Sequence, residues 1–147
     1  MSEETIAGYR ILETLGEGGQ GRVYLAELQD GLAKRVALKV FPPEQRLRFE
    51  RELEAYRAIE DLRQRSGSPH LAEGLAAGPL PDGGGYLAMA YAQGGTLRDR
   101  VQERGPLPLG EALELGDQLL AALECLHESG LWHRDVKPSN VLLSRTG

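Results

Sequence analysis

The sequence predicts an α+β fold in which a five-stranded antiparallel sheet with one long helix is followed by further helices. Apolar residues alternate in short segments of the first half, as in strands, and recur at helical spacing in longer segments elsewhere. Short glycine clusters separate these segments and mark turns. With 147 residues, of which 41% are hydrophobic, the chain can bury one core, or one small lobe and part of a second.

The first three strands are predicted at residues 9–15, 23–28 and 36–41. The first two are joined by a glycine cluster and form a hairpin. In the third, Val36 and two further apolar residues face one way. Lys39 faces the other way together with Ala37, because successive side chains of a strand alternate between its faces.

A helix is predicted over residues 44–63, directly after two prolines that end the third strand. Its apolar residues recur at helical spacing, and they are Phe49, Leu53, Tyr56 and Ile59. Two further strands are predicted near residues 71–77 and 86–91, separated by a turn-rich segment.

The second half is predicted to be helical. Thr96 and Asp99 have the spacing of a capping box, so a short helix begins there and runs towards Gly105. A long helix with a broad apolar stripe follows and ends near Gly130. The stripe consists of Leu109, Leu113, Gly116, Leu120, Leu123 and Leu126. The sequence therefore divides into a sheet-rich lobe over residues 1–92 and a helical lobe over residues 93–147.

Composition excludes several classes of function. A net charge of −5 gives no general attraction for nucleic acid. No segment approaches the roughly 20 apolar residues of a membrane span, so we expect no membrane segment. The single cysteine, Cys125, rules out an internal disulfide and paired-cysteine metal sites. A reducing, cytoplasmic setting fits these features.

The turn of the first hairpin has the pattern G-x-G-x-x-G-x-V and ends at Val23. Its residues are Gly16, Glu17, Gly18, Gly19, Gln20 and Gly21. The pattern also suits a dinucleotide-binding turn, but that turn needs a helix after the glycines, and here an alternating strand follows. Glycines let backbone N–H groups approach phosphate oxygens, which favours a lid over a nucleotide. The alternative is a flexible hairpin tip without a ligand.

Lys39 lies on the strand expected beneath this lid and needs an anionic partner on an inner face. A nucleotide phosphate and a helix carboxylate are the two candidates. Glu52 lies beside the apolar stripe of the first helix and can point inward, whereas Glu50 and Glu54 lie nearer solvent. The alternative is that Lys39 is an ordinary surface lysine whose amine extends into water.

The segment from His133 to Asn140 reads His-Arg-Asp-Val-Lys-Pro-Ser-Asn. It resembles the catalytic loop of protein kinases, H-R-D-x-x-x-x-N. With the glycine motif, Val-Ala-Leu-Lys and Glu52 in the same order, the resemblance to eukaryotic-type (Hanks-type) serine/threonine protein kinases extends over nearly the whole chain. It implies a protein-kinase-like fold with an N-lobe, a hinge after Met89 and an incomplete C-lobe.

The resemblance also implies ATP and Mg²⁺ as cofactors. Asp135 would orient the attacking hydroxyl, Lys137 would steady the γ-phosphate and Asn140 would hold the magnesium ion. Backbone groups of Ala90, Tyr91 and Ala92 would meet the edge of the adenine, and its faces would lie between Val23, Ala37 and Leu142.

Lysine two positions after Asp135 is the serine/threonine pattern, so the implied partner is a protein substrate with a Ser or Thr acceptor. Aminoglycoside-type phosphotransferases share part of the loop but usually lack the Arg134 and Lys137 pair.

The sequence contains no Asp-Phe-Gly motif, which carries the principal metal ligand of the family. We therefore expect the 147 residues alone to transfer phosphate poorly, as a kinase domain truncated after its catalytic loop. An inactive nucleotide-binding or scaffold module is the alternative. The apolar stripe of the long helix is expected to need cover from a partner chain or a homodimer.

Overall fold

The computed structural model describes residues 3–18, 21–32, 34–133 and 136–144. The chain forms two compact units, one of residues 1–61 and 72–91 and the other of residues 62–71 and 92–147. The strands are β1 (Thr5–Ile6), β2 (Tyr9–Gly18), β3 (Gly21–Leu28), β4 (Arg35–Phe41), β5 (Gly74–Pro79) and β6 (Gly85–Ala90). The helices are α1 (Arg46–Ser66), α2 (Leu97–Arg104) and α3 (Leu109–Glu128), and short 3-10 turns occupy Pro43–Gln45 and Pro138–Asn140.

All strands of the first unit form one antiparallel sheet in the order β1-β2-β3-β4-β6-β5. The sheet has six strands, one more than the five that were expected, because the two-residue strand β1 was not predicted. Strand β1 pairs with the start of β2 across a turn at Ala7 and Gly8, whose φ angles of 52° and 85° are both positive. Two residues are too short to show alternation, which is why periodicity missed this strand.

The sheet is strongly curled. Tyr9 on β2 and Tyr86 on β6 are three strands apart in the sheet order, yet their ring centroids are 6.3 Å apart. In a flat sheet three strand spacings would separate them by about 14 Å. The curl encloses a core cluster made of Tyr9, Tyr24, Ala26, Val36, Leu38 and Ala88.

A second core cluster holds α1 against the sheet. Phe41 of β4, Leu87 of β6 and Phe49 of α1 are buried, and the rings of Phe41 and Phe49 lie 5.5 Å apart. Leu53 and Tyr56, one and two turns further along α1, pack against this cluster. Burial raises the pKa of the Tyr56 hydroxyl, with a smaller contribution from nearby Glu60. The apolar stripe predicted for this helix therefore does face the sheet.

The strand predicted at residues 71–77 begins three residues later, at Gly74. Gly74 lies against the ring of Tyr56, where an added Cβ would stand 2.5 Å from ring carbons. Its N–H donates to Glu60 Oε1 at 2.6 Å. The strand thus starts where a residue without a side chain can approach α1, and hydropathy alone does not reveal that contact.

Gly85→Ala is expected to lower the free energy of unfolding by about 1–3 kcal/mol. An added Cβ would lie 2.4 Å from the ring of Phe49, which is 2% exposed and cannot move aside. Urea unfolding measures the effect. The matched control is Gly16→Ala in the same sheet, where no atom lies within 4 Å of an added Cβ and stability should hold. Equal stabilities for the two variants would contradict this packing.

The second unit contains α2 and α3 with the predicted bounds. Thr96 Oγ1 accepts from Asp99 N and Asp99 Oδ2 accepts from Thr96 N, so the capping box is formed, with Asp in place of Glu or Gln. Helix α3 ends before Gly130, whose φ of 77° suits glycine. Leu109, Leu113 and Leu120 of its stripe are largely exposed. Within the described residues, no helix has the length and apolar character that a membrane crossing requires.

Candidate functional site

One face of the sheet carries four of the site residues predicted for the first unit. In the antiparallel register Lys39 stands opposite Val23 on β3 and Leu87 on β6, and Ala37 stands opposite Met89. Directly paired residues of antiparallel strands project from the same face. Val23, Ala37, Lys39 and Met89 therefore share one face, which is also the face covered in part by α1.

Lys39 and Glu52 form an ion pair on this face. Lys39 Nζ donates to Glu52 Oε1 at 2.8 Å, and the two side chains are 25% and 32% exposed. The packing of Phe49 and Leu53 on the sheet turns this side of α1 towards β4. The Lys39 ammonium also lies 5.2 Å from the centre of the Phe41 ring, within the range of a cation–π contact.

The neighbouring glutamates of α1 are placed differently. Glu50 pairs with Arg46 at 3.2 Å on the exposed side of the helix, and Glu54 is exposed. The other oxygen of Glu52, Oε2, is buried and accepts no hydrogen bond from the described residues. Of the three carboxylates considered from the sequence, the structure thus brings Glu52 to Lys39.

The glycine motif forms the end of the β2–β3 hairpin. Gly16 pairs with Val23, and Gly18 pairs with Gly21, while Gly19 and Gln20 lie outside the described residues. A strand follows the glycines, so the helix that a dinucleotide-binding turn requires is absent from residues 21–28. The observed structure is a hairpin, which both the nucleotide-lid interpretation and the alternative of a hairpin tip without a ligand predicted.

Two of these glycines have distinct reasons to lack a side chain. An added Cβ at Gly16 would enter open space, so its backbone is accessible from the face shared with Val23. At Gly21 φ is 97°, and an added Cβ would lie 2.7 Å from the carbonyl oxygen of Val40. Gly16 thus leaves room for a ligand, whereas Gly21 allows β3 to lie against β4.

Leu15 is a candidate ligand-contact residue that the sequence pattern did not indicate. The register of β2 shifts between Thr14 and Gly16, and such a bulge sets two residues opposite one. Leu15 is therefore beside Gly16, opposite Val23, and it is 41% exposed. The available signal was a large apolar residue directly before the glycine motif.

The segment predicted to meet an adenine begins at the end of β6. The N–H of Ala90 donates to the carbonyl oxygen of Glu73 at 2.8 Å, and the carbonyl of Ala92 accepts from Gly95 at 3.2 Å. A ligand at this segment would have to use the other backbone groups of residues 90–92. Tyr91 follows β6 directly.

In the second unit, the predicted catalytic loop is described in part. Arg134 and Asp135 lie outside the described residues. After Lys137 the chain makes a 3-10 turn at Pro138–Asn140, and the N–H of Asn140 donates to the carbonyl oxygen of Lys137 at 2.9 Å. This turn sets Lys137 and Asn140 on either side of one tight backbone bend.

The residues after Asn140 are tied to the segment that starts α2. Leu97 N donates to Val141 O at 2.8 Å, and Leu143 N donates to Gly95 O at 2.8 Å. Val141 and Leu143 are buried while Leu142 between them is half exposed, as alternation in an extended segment requires. The end of the loop is thus held by backbone hydrogen bonds, with Leu142 facing outward.

Carboxylates do not cluster into a metal cage in the part of the chain that the structure describes. No group of three or more His, Cys, Asp and Glu side chains there could hold a metal ion. Asn140 is the one predicted metal ligand among the described residues. These residues alone do not fit a complete magnesium site.

Comparisons with known proteins agree on one family. Residues 9–147 match the family model described as the protein kinase domain. The probable serine/threonine-protein kinase PkwA of Thermomonospora curvata is 40% identical over 97% of this chain, which spans 19% of that protein. The serine/threonine-protein kinase PknK of Mycobacterium tuberculosis is 39% identical over 96% of this chain, which spans 12% of it.

Solved structures show the same likeness. The crystal structure of the Mycobacterium tuberculosis PknI kinase domain superposes with a TM-score of 0.74 at 34% sequence identity. The match covers 98% of this chain and 57% of that one. The chain therefore spans about a fifth or less of the two curated relatives and just over half of this kinase domain.

Proposed function

This chain belongs to the protein kinase family, and from that premise we propose that it forms part of a domain that transfers phosphate from ATP to serine and threonine hydroxyls of proteins. The similar proteins PkwA and PknK are named as a probable serine/threonine-protein kinase and a serine/threonine-protein kinase. This chain carries Lys137 two positions after Asp135, which is the serine/threonine pattern. The observation that carries the proposal is the Lys39–Glu52 pair, on the sheet face shared with Val23 and Ala37.

The residues of this face fit a nucleotide. Gly16 has open space where a side chain would stand, so phosphate oxygens can approach backbone N–H groups there. Lys39, held by Glu52, supplies a positive charge to the phosphates, and apolar Val23, Ala37 and Met89 supply contacts for a flat base. Gly18, Gly19 and Gln20 complete the lid in this proposal.

The second unit supplies the groups that act on the acceptor. Asp135 orients the acceptor hydroxyl, Lys137 steadies the transferred phosphate, and Asn140 contributes one ligand to magnesium. When bound, magnesium would offset negative charge on the phosphates. Because the described residues lack a carboxylate cluster and the sequence lacks Asp-Phe-Gly, we assign the chain only this partial contribution to the metal site.

Titration of the 147-residue chain with ATP, with and without Mg²⁺, tests the proposal. Isothermal titration calorimetry should show saturable binding, and an assay with a generic serine/threonine protein substrate should show little transfer, because the principal metal ligand is missing. Lys39→Met is the site control and should weaken binding. A chain that is folded by circular dichroism yet binds no ATP would overturn the proposed nucleotide site. Binding without transfer in a complete domain would instead support the inactive scaffold.

The setting and partners of the chain are also proposals. We propose a cytoplasmic setting, with which a single cysteine, Cys125, is in keeping. The stripe of exposed leucines on α3, Leu109, Leu113 and Leu120, is an apolar surface that water solvates poorly. In the working protein it is covered by further kinase-domain residues, by a partner chain or by a second copy of this chain.

A further inference from the structure

The glycine hairpin carries a charged pair close to its tip. Glu17 on β2 stands directly opposite Arg22 on β3, and Arg22 Nε lies 3.0 Å from Glu17 Oε1. The next pair outward is Gly18 with Gly21, and neither has a side chain. Glu17 and Arg22 are therefore the outermost paired residues of β2 and β3 that can hold the two strands together through side chains.

Arg22 also stands on the face of the sheet that carries the core of its unit. Arg22 and Tyr24 are two residues apart on β3 and therefore project from the same face. Tyr24 is 8% exposed and belongs with Val36 and Leu38 to the cluster enclosed by the curled sheet. The neighbouring Tyr24 hydroxyl, and to a smaller extent the charge of Glu17, raise the pKa of the Arg22 guanidinium.

The Glu17–Arg22 pair lies on the side of the hairpin away from the proposed nucleotide. Arg22 stands opposite Val40 on β4, and Val40 packs against the Tyr24 cluster. Val23 and Lys39 pair one residue further along and therefore project from the other face. Glu17 and Arg22 can thus influence a ligand only through the backbone that they hold.

We propose that Glu17 and Arg22 are positioning residues that hold the paired ends of β2 and β3, Gly16–Gly18 and Gly21–Val23, in place beside Lys39. The inference rests on the proposed nucleotide site and assigns to the Glu17 side chain a role other than contact with the cofactor. Glycines restrain the backbone little, so the pairing of Gly18 with Gly21 depends on the last side-chain link before it. Opposite charges that face each other across two strands supply such a link.

The competing explanation is that the pair is an ordinary surface ion pair. Both side chains are more than half exposed, and many exposed pairs contribute nothing measurable to stability. Stability alone cannot separate the two explanations, because both predict a small change. The two explanations differ in the ATP affinity that they predict for a variant whose stability is unchanged.

The test compares two arginine–glutamate pairs in the same strand ladder. Arg22→Met in the 147-residue chain should weaken ATP binding by about two- to fivefold, while its Tm stays within about 3 °C of the parent. The matched control is Glu27→Gln, which breaks the Arg10–Glu27 pair at 2.6 Å, far from the hairpin tip. This control should leave ATP affinity unchanged.

Exchanging the two charges of the pair is expected to restore ATP binding. The double variant Glu17→Arg with Arg22→Glu restores opposite charges across the strands. It should recover most of the lost ATP affinity, whereas Glu17→Arg alone should not. Equal ATP affinity in the parent and Arg22→Met would overturn the inference, as would a double variant as weak as the single ones.

Hydrogen exchange separates this inference from the proposed function. The amide of Val23 should exchange about two- to fivefold faster in Arg22→Met than in the parent without any nucleotide, and the Glu27→Gln control should leave it unchanged. If the parent does not bind ATP, the proposed function is wrong. The exchange rates would still show whether the Glu17–Arg22 pair restrains the hairpin. Unchanged exchange at Val23 would refute that restraint.

Discussion

Replacing Lys39 by methionine is expected to lower the rate of phosphoryl transfer by about 10²- to 10³-fold in a complete kinase domain that contains this chain. Methionine keeps the length and apolar stem of lysine but removes the charge that is proposed to face the phosphates. It also removes the partner of Glu52, whose carboxylate lies 2.8 Å from the ammonium and would be left partly buried without a counter-charge. Both losses are expected to displace phosphate from the position that transfer requires.

Steady-state kinetics with a generic serine/threonine protein substrate measure the effect. Lys39 is proposed to act most strongly on the negative charge that develops on the phosphates in the transition state. The kcat should therefore fall by a larger factor than the KM for ATP rises. The matched control is Lys34→Met, at an exposed lysine in the segment that leads into β4, and it should keep the parental rate. Transfer by Lys39→Met within about threefold of the parent would contradict the assigned role, given the losses that such groups usually cause.

Phe49→Ala is expected to lower the free energy of unfolding by about 3–5 kcal/mol. The ring is 2% exposed, packs on Phe41 at 5.5 Å and closes over Gly85, so its removal opens a cavity between α1 and the sheet. The same contact orients the turn of α1 that carries Glu52. Affinity for ATP should therefore fall as well, even under conditions in which the variant is folded.

Urea unfolding, followed by circular dichroism, measures this change through a shift of the midpoint at an unchanged slope. Leu47→Ala is the matched control on the same helix, since Leu47 is 73% exposed and its loss should change the unfolding free energy by less than about 0.5 kcal/mol. Similar midpoints for the two variants would mean that Phe49 does not hold α1 on the sheet.

Helices and strands were predicted well where the apolar periodicity extended over many residues. Helix α3 spans Leu109–Glu128, as its apolar spacing indicated, and the capping box at Thr96 begins α2 at the expected residue. Strand β1 was missed because two residues carry no periodicity, and β5 began later than predicted because Gly74 is placed by its contact with Tyr56. Short elements depend on tertiary neighbours more than on their own sequence.

The residues of the candidate site also fall into those that the sequence indicated and those that only the structure revealed. The glycine motif, Lys39 and the loop from His133 to Asn140 could be recognised from residue types and spacing. The bulge that places Leu15 beside Gly16 could not, because register is a property of two strands. The hydrogen bond from Ala90 to Glu73 likewise depends on how the two segments meet.

Periodicity, which is a property of neighbouring residues in the chain, predicted an α+β fold, and the resemblance of the motifs to protein kinases implied its kinase-like form. Residue types and spacing also selected Lys39 with Glu52. The direction in which Glu17 points became known only from the folded hairpin. Its partner Arg22 lies on another strand, and the hydrogen-bonded register between those strands decides whether a side chain faces the ligand or the opposite side. Contacts of that kind arise from long-range pairing, so no local pattern encodes them.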